Sequence, residues 1–163
     1  MKLPENFHFD FQQKRALVTG AGKGIGREIA AMLYGFNAQV VALSRTEEDL
    51  RRLKEEIGCE TIVTELSDPA SAKRAAEQAG RIDLLVNNAA IAILEPFLAT
   101  TVEAWDKTMA VNLRAVMIVS QVIAKQMIER GVAGSIVNIS SMASFQALHD
   151  HAAHCASRLA WIS

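Results

Sequence analysis

Three observations predict an α/β fold built on a parallel sheet. Short apolar runs of strand length alternate at a steady pace with amphipathic, helix-length segments. One strand-to-helix junction is a glycine-rich turn, Thr19-Gly20-Ala21-Gly22-Lys23-Gly24-Ile25-Gly26. The chain, 163 residues and half apolar, is long enough to bury one good core, so residues 1–163 are expected to form a single domain.

The first strand is the apolar run Ala16-Leu17-Val18, and the helix after the turn carries Ile25, Ile29, Met32 and Leu33 on one face, ending near Gly35. In this context Gly20 allows a tight turn and Gly24 lets the backbone approach a pyrophosphate. Gly26 allows close helix–strand packing, and the helix N-terminus points free N–H groups and its positive dipole end at phosphates. Gln39 to Leu43 reads as a second buried strand. Thr46 is expected to cap the next helix, whose inner face carries Leu50, Leu53 and Ile57 and which Gly58 ends. Thr61 to Thr64 is the third strand. Asp68 before Pro69 marks an N-cap with proline at the first helical position, and Gly80 closes that helix. Ile82 to Val86 is the fourth strand. A helical region from about Val102 to Arg130 follows, with a break near Asn112; Gly134 to Ile139 is the fifth strand, and a further helix begins beyond it. Within the long helix Val111, Leu113, Val116, Ile118, Val119, Val122, Ile123 and Met127 leave almost no polar face. Two readings stand: burial against the sheet, or an outer face packed on a partner subunit.

Composition excludes several classes. A net charge of −1 provides no basic footprint for nucleic acid. No uninterrupted apolar run approaches the ~20 residues of a membrane span, and the stretch from Met1 to Lys14 lacks a secretory core. Two cysteines, Cys59 and Cys155, form no disulfide framework and fit a reducing compartment, so a cytoplasmic location is expected. His8, His149 and His151 show no metal-ligand spacing, and no metal is expected.

Four motifs in order, Thr19-Gly20-x-x-x-Gly24-x-Gly26, Asn87-Asn88-Ala89, Val111-Asn112-Leu113 and Ile136-Val137-Asn138-Ile139-Ser140-Ser141, resemble the short-chain dehydrogenase/reductase family. The resemblance covers residues 14 to about 157 and is strongest to the L-xylulose/dicarbonyl and tetrameric carbonyl reductase group. It implies a Rossmann-type doubly wound sheet of order 3-2-1-4-5, an NADP(H) cofactor, a small carbonyl or sugar substrate and a homo-oligomer. At the end of strand two, where an acid would select NAD, stand Ser44 and Arg45, with Lys23 across the loop. Two cations and a hydroxyl suit the 2′-phosphate of NADP(H), although either cation alone could be a solvated surface charge. By resemblance Glu65 and Leu66 flank the adenine, residues Asn87 to Ala90 (Asn87 and Ala89 among them) line the middle of the cofactor, and Ile25 lies beside the glycines. Asn112 would interrupt the long helix to hold a relay water, or would simply mark a helix junction. Ser141 matches the serine that bonds the substrate carbonyl oxygen.

The family then requires Tyr-x-x-x-Lys, the tyrosine as general acid and the lysine, one helical turn on, lowering its pKa and bonding the nicotinamide ribose. Those positions are His154 and Arg158. Histidine is shorter than tyrosine, and arginine keeps the charge without the compact ammonium, so impaired or absent turnover is expected. Residues Ser157 to Ser163 also leave the family pattern, Ser-Lys-Ala-Gly-Leu-Asp. Deleting one base from codons for that pattern can yield Ser-Arg-Leu-Ala-Trp-Ile-Ser, so a frameshift or alternative splicing after Ser157 is expected, with loss of the last two family strands. The product would then be unstable, its fifth strand an exposed apolar edge. A non-catalytic remnant that pairs with full-length subunits, and a product without function, are the alternatives.

Overall fold

A computed structural model describes residues 10–161; His8, Ile162 and Ser163 lie outside them. The elements run β1 (Arg15–Thr19), α1 (Gly24–Gly35), β2 (Gln39–Ser44), α2 (Glu47–Ile57), β3 (Glu60–Val63), α3 (Pro69–Gln78), β4 (Leu84–Asn87), α4 (Val102–Met109), α5 (Ala115–Glu129), β5 (Ser135–Asn138) and α6 (Ala152–Leu159). The strands form one parallel sheet in the order β3-β2-β1-β4-β5, in register Leu17 to Val41, Leu17 to Leu85 and Leu85 to Ile136. The predicted fold class and strand order are both present.

Alternating strand residues serve two cores, as the two-residue period of a strand requires. Leu17, Val41, Leu43 and Leu85 face α3 and α5, where Ala72, Ala75 and Ala76 meet Ala115, Val119, Ile123 and Met127. Ala16, Val18, Val40 and Ala42 face α1 and α2, whose Ala30, Leu50, Leu53 and Ile57 close the opposite layer. Gly58 ends α2 in the left-handed conformation (φ 70°), and Asp68 caps α3 by accepting from Ser71 N at 2.8 Å. Thr46 differs from expectation: it occupies the N-cap position of α2 but its side chain makes no cap bond.

The break near Asn112 is a π turn, Ala110–Arg114, set between α4 and α5. Intramolecular burial accounts for Val111, Val116, Val119, Ile123 and Met127, whereas Met117 and Ile128 stay 46% and 79% exposed. Taken as one run, Val102–Glu129 has the length and hydropathy to cross a bilayer. Here its inner stripe is sheet-facing core. At the sheet margin β5 leaves Ile136 and Val137 37% and 48% exposed, the apolar edge expected of the fifth strand.

Asp83 organises the amino ends of the strands. Its Oδ2 accepts from Arg15 N at 3.0 Å, its Oδ1 from Arg130 Nη1 at 3.2 Å, and its carbonyl from Ser135 N at 3.0 Å. These bonds tie β1, β5 and the end of α5 to the approach to β4, which begins at Leu84, two residues after the expected Ile82. Burial alone would raise the Asp83 pKa; the Arg15 N–H and the Arg130 and Arg81 charges outweigh it and hold it below its ordinary 3.8. A depressed carboxylate pKa contributes stability above the ordinary value, and that contribution is lost as pH falls below it. Asp83→Asn should therefore lose about 2 kcal/mol at pH 7 by urea denaturation, with a smaller deficit at pH 3.

At the carboxyl end the tight point is Gly26. A Cβ there would sit 2.4 Å from Gly20 O and 2.3 Å from Asn88 Nδ2, and the backbone oxygen cannot swing away. Gly26→Ala should cost about 2 kcal/mol in the same assay. Gly24, whose Cβ direction is open but whose φ is +56°, should tolerate alanine at about 1 kcal/mol.

Candidate dinucleotide and active site

The order of the sheet reverses between β1 and β4: the chain leaves β1 for β2 on one side and later returns to β4 on the other. A crevice opens above the carboxyl ends of strands at such a switch point. Here it is a cleft of ≈ 460 Å³. Asn88 lines it, and the buried Thr19 holds Asn88 and the glycine turn together beneath it. Thr19 Oγ1 accepts from Asn88 N and Ala89 N at 3.0 and 3.1 Å, while Asn88 Nδ2 donates to Thr19 O at 3.0 Å and Gly20 O at 3.3 Å. The glycine turn is thereby bonded to the segment after β4, and Ala21 N donates to Leu43 O of β2 at 3.0 Å. Gly20 adopts φ 67° and lies so close to Ala89 Cα (2.8 Å from an ideal Cβ) that no larger residue fits.

Gly20, Lys23, Gly24 and Ile25 line the cleft from the turn, Ser44 and Arg45 from the end of β2, and Glu65 and Leu66 from beyond β3, with Ala89 between them. Lys23 is the N-cap of α1 and makes no side-chain cap bond, so the first turn presents its backbone donors towards the cleft. Among the described residues neither Lys23 nor Arg45 enters a salt bridge. Glu65 Oε1 accepts from Ser67 N at 3.0 Å, and that bond, with the nearby Arg45 and Lys107 charges, lowers its pKa against burial. Thr46, freed from capping, also lines the cleft.

Three predicted site residues stand elsewhere. Gly26 is spent on helix packing, as its close neighbours require. Asn87 is buried, and its Nδ2 donates to Ser120 Oγ and Asn138 Oδ1, both at 2.9 Å. The strand alternation turns it towards α5 and β5, so of residues 87–90 the cleft is lined by Asn88, Ala89 and Ala90. Asn112, 0% exposed, does not reach the cleft wall; its Oδ1 accepts from Ile91 N and its Nδ2 donates to Ile91 O, both at 2.9 Å, and to Ser157 Oγ at 3.0 Å. Both amide donors and its Oδ1 are engaged in holding the segment after β4 to α6. The Asn112 carbonyl accepts from Trp161 Nε1 at 2.9 Å. Nothing in sequence spacing links residues 112 and 161, or marks Ser157 as the partner of Asn112.

Ser141, His154 and Arg158 share the cleft with Ser140. Ser141 Oγ accepts from Ala143 N at 3.2 Å at the head of the turn Met142–Ser144, leaving its O–H free to donate. His154 Nδ1 lies 3.3 Å from Ile91 O, an acceptor that favours the tautomer with the proton on Nδ1. Burial, aided by the positive charges of Arg158 and His151, pulls the His154 pKa below its ordinary value despite that bond. Arg158 is 5% exposed and donates from Nη1 to Ile139 O at 2.9 Å. The four-residue spacing places His154 and Arg158 on one face of α6, as expected.

Comparison with known proteins gives this geometry its context. Residues 14–163 match the family described as short chain dehydrogenase. The chain is 53% identical over 146 residues to mouse L-xylulose reductase, covering 89% of this chain and 60% of that one. It is 53% identical over 136 residues to pig carbonyl reductase [NADPH] 2, covering 83% and 56%. Among solved structures it resembles a gluconate 5-dehydrogenase from Burkholderia cenocepacia in complex with NADP and tartrate, with TM-score 0.84 and 34% identity over 94% of this chain and 64% of that one. The chain thus spans about 60% of the length of the curated relatives it matches. The parallel sheet, the glycine turn at its switch point and these matches together show that the chain belongs to the short-chain dehydrogenase family.

Proposed function

We propose that this chain is the NADP(H)-binding part of a cytoplasmic carbonyl reductase domain of the L-xylulose/dicarbonyl reductase type, and that its turnover is impaired. The observation that carries the first half is that Lys23 and Arg45, neither in a salt bridge among the described residues, both line the cleft at the glycine turn. The residues present fit the cofactor. The turn is open at Gly24, the α1 N-terminus presents unused N–H groups, and Ser44 stands where an acid would reject a 2′-phosphate. Lys23, Arg45 and Ser44 would hold that phosphate, the first turn of α1 the pyrophosphate, and Leu66 with Ala89 the adenosine half. When bound, NADPH supplies the hydride for a ketone or dicarbonyl carbon. Ser141 would donate its free O–H to the carbonyl oxygen and stabilise the charge that develops there.

The impairment follows from position 154. A neutral imidazole whose Nδ1–H is committed to Ile91 O has no second N–H to offer. Supplying a proton requires the imidazolium, which burial and the neighbouring Arg158 charge both disfavour. Arg158 bonds the Ile139 carbonyl and offers no compact ammonium of the kind that sets a tyrosine pKa. Asn112 spends its amide on Ile91 and Ser157, and its carbonyl on Trp161, so little remains to hold a relay water.

A second reading is favoured by the exposed Met117 and Ile128 on α5: a nucleotide-binding partner for full-length subunits of the family. NADPH oxidation with diacetyl or L-xylulose tests both readings. Binding of NADPH with turnover at background is expected, and His154→Tyr/Arg158→Lys should raise the rate by about 100-fold. Ready turnover by the unmodified chain would defeat the impairment, and failure to bind NADPH would defeat the proposal as a whole. Formation of mixed oligomers with an L-xylulose reductase, read by native mass spectrometry, would support the partner reading; separate species would reject it.

A further inference from the structure

Arg158 is the most unusual charge in the molecule. It is 5% exposed, yet no carboxylate pairs with it among the described residues. Its Nη1 donates to the Ile139 carbonyl, and among the described residues its buried Nε has no hydrogen-bond partner. A guanidinium stays protonated at any pH at which the protein folds, so this is a charge buried without a counter-charge. Burial lowers its pKa with nothing opposing, the mark of a cation held away from water and acids alike. The same side chain lines the cleft beside Ser140, Ser141 and His154. Ser141 keeps a free O–H there, because its oxygen is already accepting from Ala143 N. The acids of the cleft, Asp49 and Glu65, belong to the β2 and β3 side. Arg158 is anchored just past β5, and three strand spacings separate β5 from β2, about 14 Å.

From this geometry we infer that the β5 end of the cleft is an oxyanion site, in which Arg158 and the Ser141 hydroxyl take a carboxylate or phosphate group. The site is separate from the Lys23 and Arg45 pole at the β2 end, and it holds whether or not the chain turns over. An oxyanion there supplies the missing counter-charge and accepts from the Ser141 hydroxyl, which donates to nothing among the described residues. It would also relieve the repulsion between Arg158 and a protonated His154. The source that fits the proposed cofactor placement is a carboxylate-bearing carbonyl substrate; a phosphate of the dinucleotide at Arg158 is the other outcome the test separates.

Inorganic phosphate is the probe, compared with potassium chloride at equal ionic strength. With millimolar affinity, about 10 mM phosphate should raise the Tm by about 3 °C. In the unmodified chain phosphate should also shift the Arg158 Nε–Hε NMR cross-peak, a readout that needs no variant to fold. Because Lys23 and Arg45 also offer phosphate a site, the response is read in the Lys23→Ala/Arg45→Ala chain as well: it should weaken there without vanishing, and adding Arg158→Gln should remove what remains. Equal melting in phosphate and chloride with an unmoved cross-peak would overturn the site. So would a response that disappears entirely in Lys23→Ala/Arg45→Ala, or one that in that chain is unchanged by adding Arg158→Gln. Repeating the titration with NADP+ bound assigns the source: a retained response places a substrate oxyanion at Arg158, and a lost one places a cofactor phosphate there.

Discussion

The close approach of the glycine turn to the segment after β4 is the constraint on which the rest depends. Gly20 O and Asn88 Nδ2 occupy the space a Cβ at Gly26 would need, and Thr19 Oγ1 receives the two backbone N–H groups that follow Asn87. These contacts bind the carboxyl ends of β1 and β4 into one unit. With that unit formed, α1 must start against the cleft and the segment through Ile91 must line its far wall. The order β3-β2-β1-β4-β5 then spreads the cleft across the sheet, with Lys23 and Arg45 near one end and Arg158 near the other.

The far wall depends on a second clamp. The π turn at Ala110–Arg114 buries Asn112, whose side chain bonds both polar groups of Ile91 and the hydroxyl of Ser157. Ile91 in turn bonds His154, so the segment after β4, the π turn and α6 are cross-linked by polar groups in a buried setting. Trp161 adds its indole N–H to the Asn112 carbonyl, and Arg158 adds a bond to Ile139 past β5. His154 and Arg158 thus hold α6 in place. A position can keep its architectural role while its chemical one is altered, because a hydrogen bond to a backbone carbonyl asks only for a donor, whereas proton delivery asks for reach and a suitable pKa.

The fold was legible because its signals are local and periodic. Buried strands such as Gln39 to Ser44 stand out as apolar runs, and Asp68-Pro69 and Gly58 punctuate helices by chemistry that works wherever they occur. Most of the cleft was legible for a different reason: its residues cluster at strand ends that the motifs mark. What escaped depends on facing and distance. Asn87 and Asn88 are adjacent and identical, but strand alternation sends the first into the core and the second to the turn. Thr46 has the composition of a cap and the surroundings of a cleft residue. The Asn112–Trp161 bond joins residues 49 apart through tertiary packing, which no window of sequence contains. The missing counter-charge at Arg158 is equally invisible until the acids around it are placed.

The central claim is that a selective dinucleotide cleft persists beside a catalytic pair unsuited to proton delivery. Calorimetric titration of the chain with NADPH and, separately, NADH tests it most directly. The account predicts saturable binding with NADPH favoured by about tenfold or more, a preference that shrinks with rising salt because Lys23 and Arg45 are exposed. Equal affinity for the two nucleotides, or no binding of either by the folded chain, would contradict it.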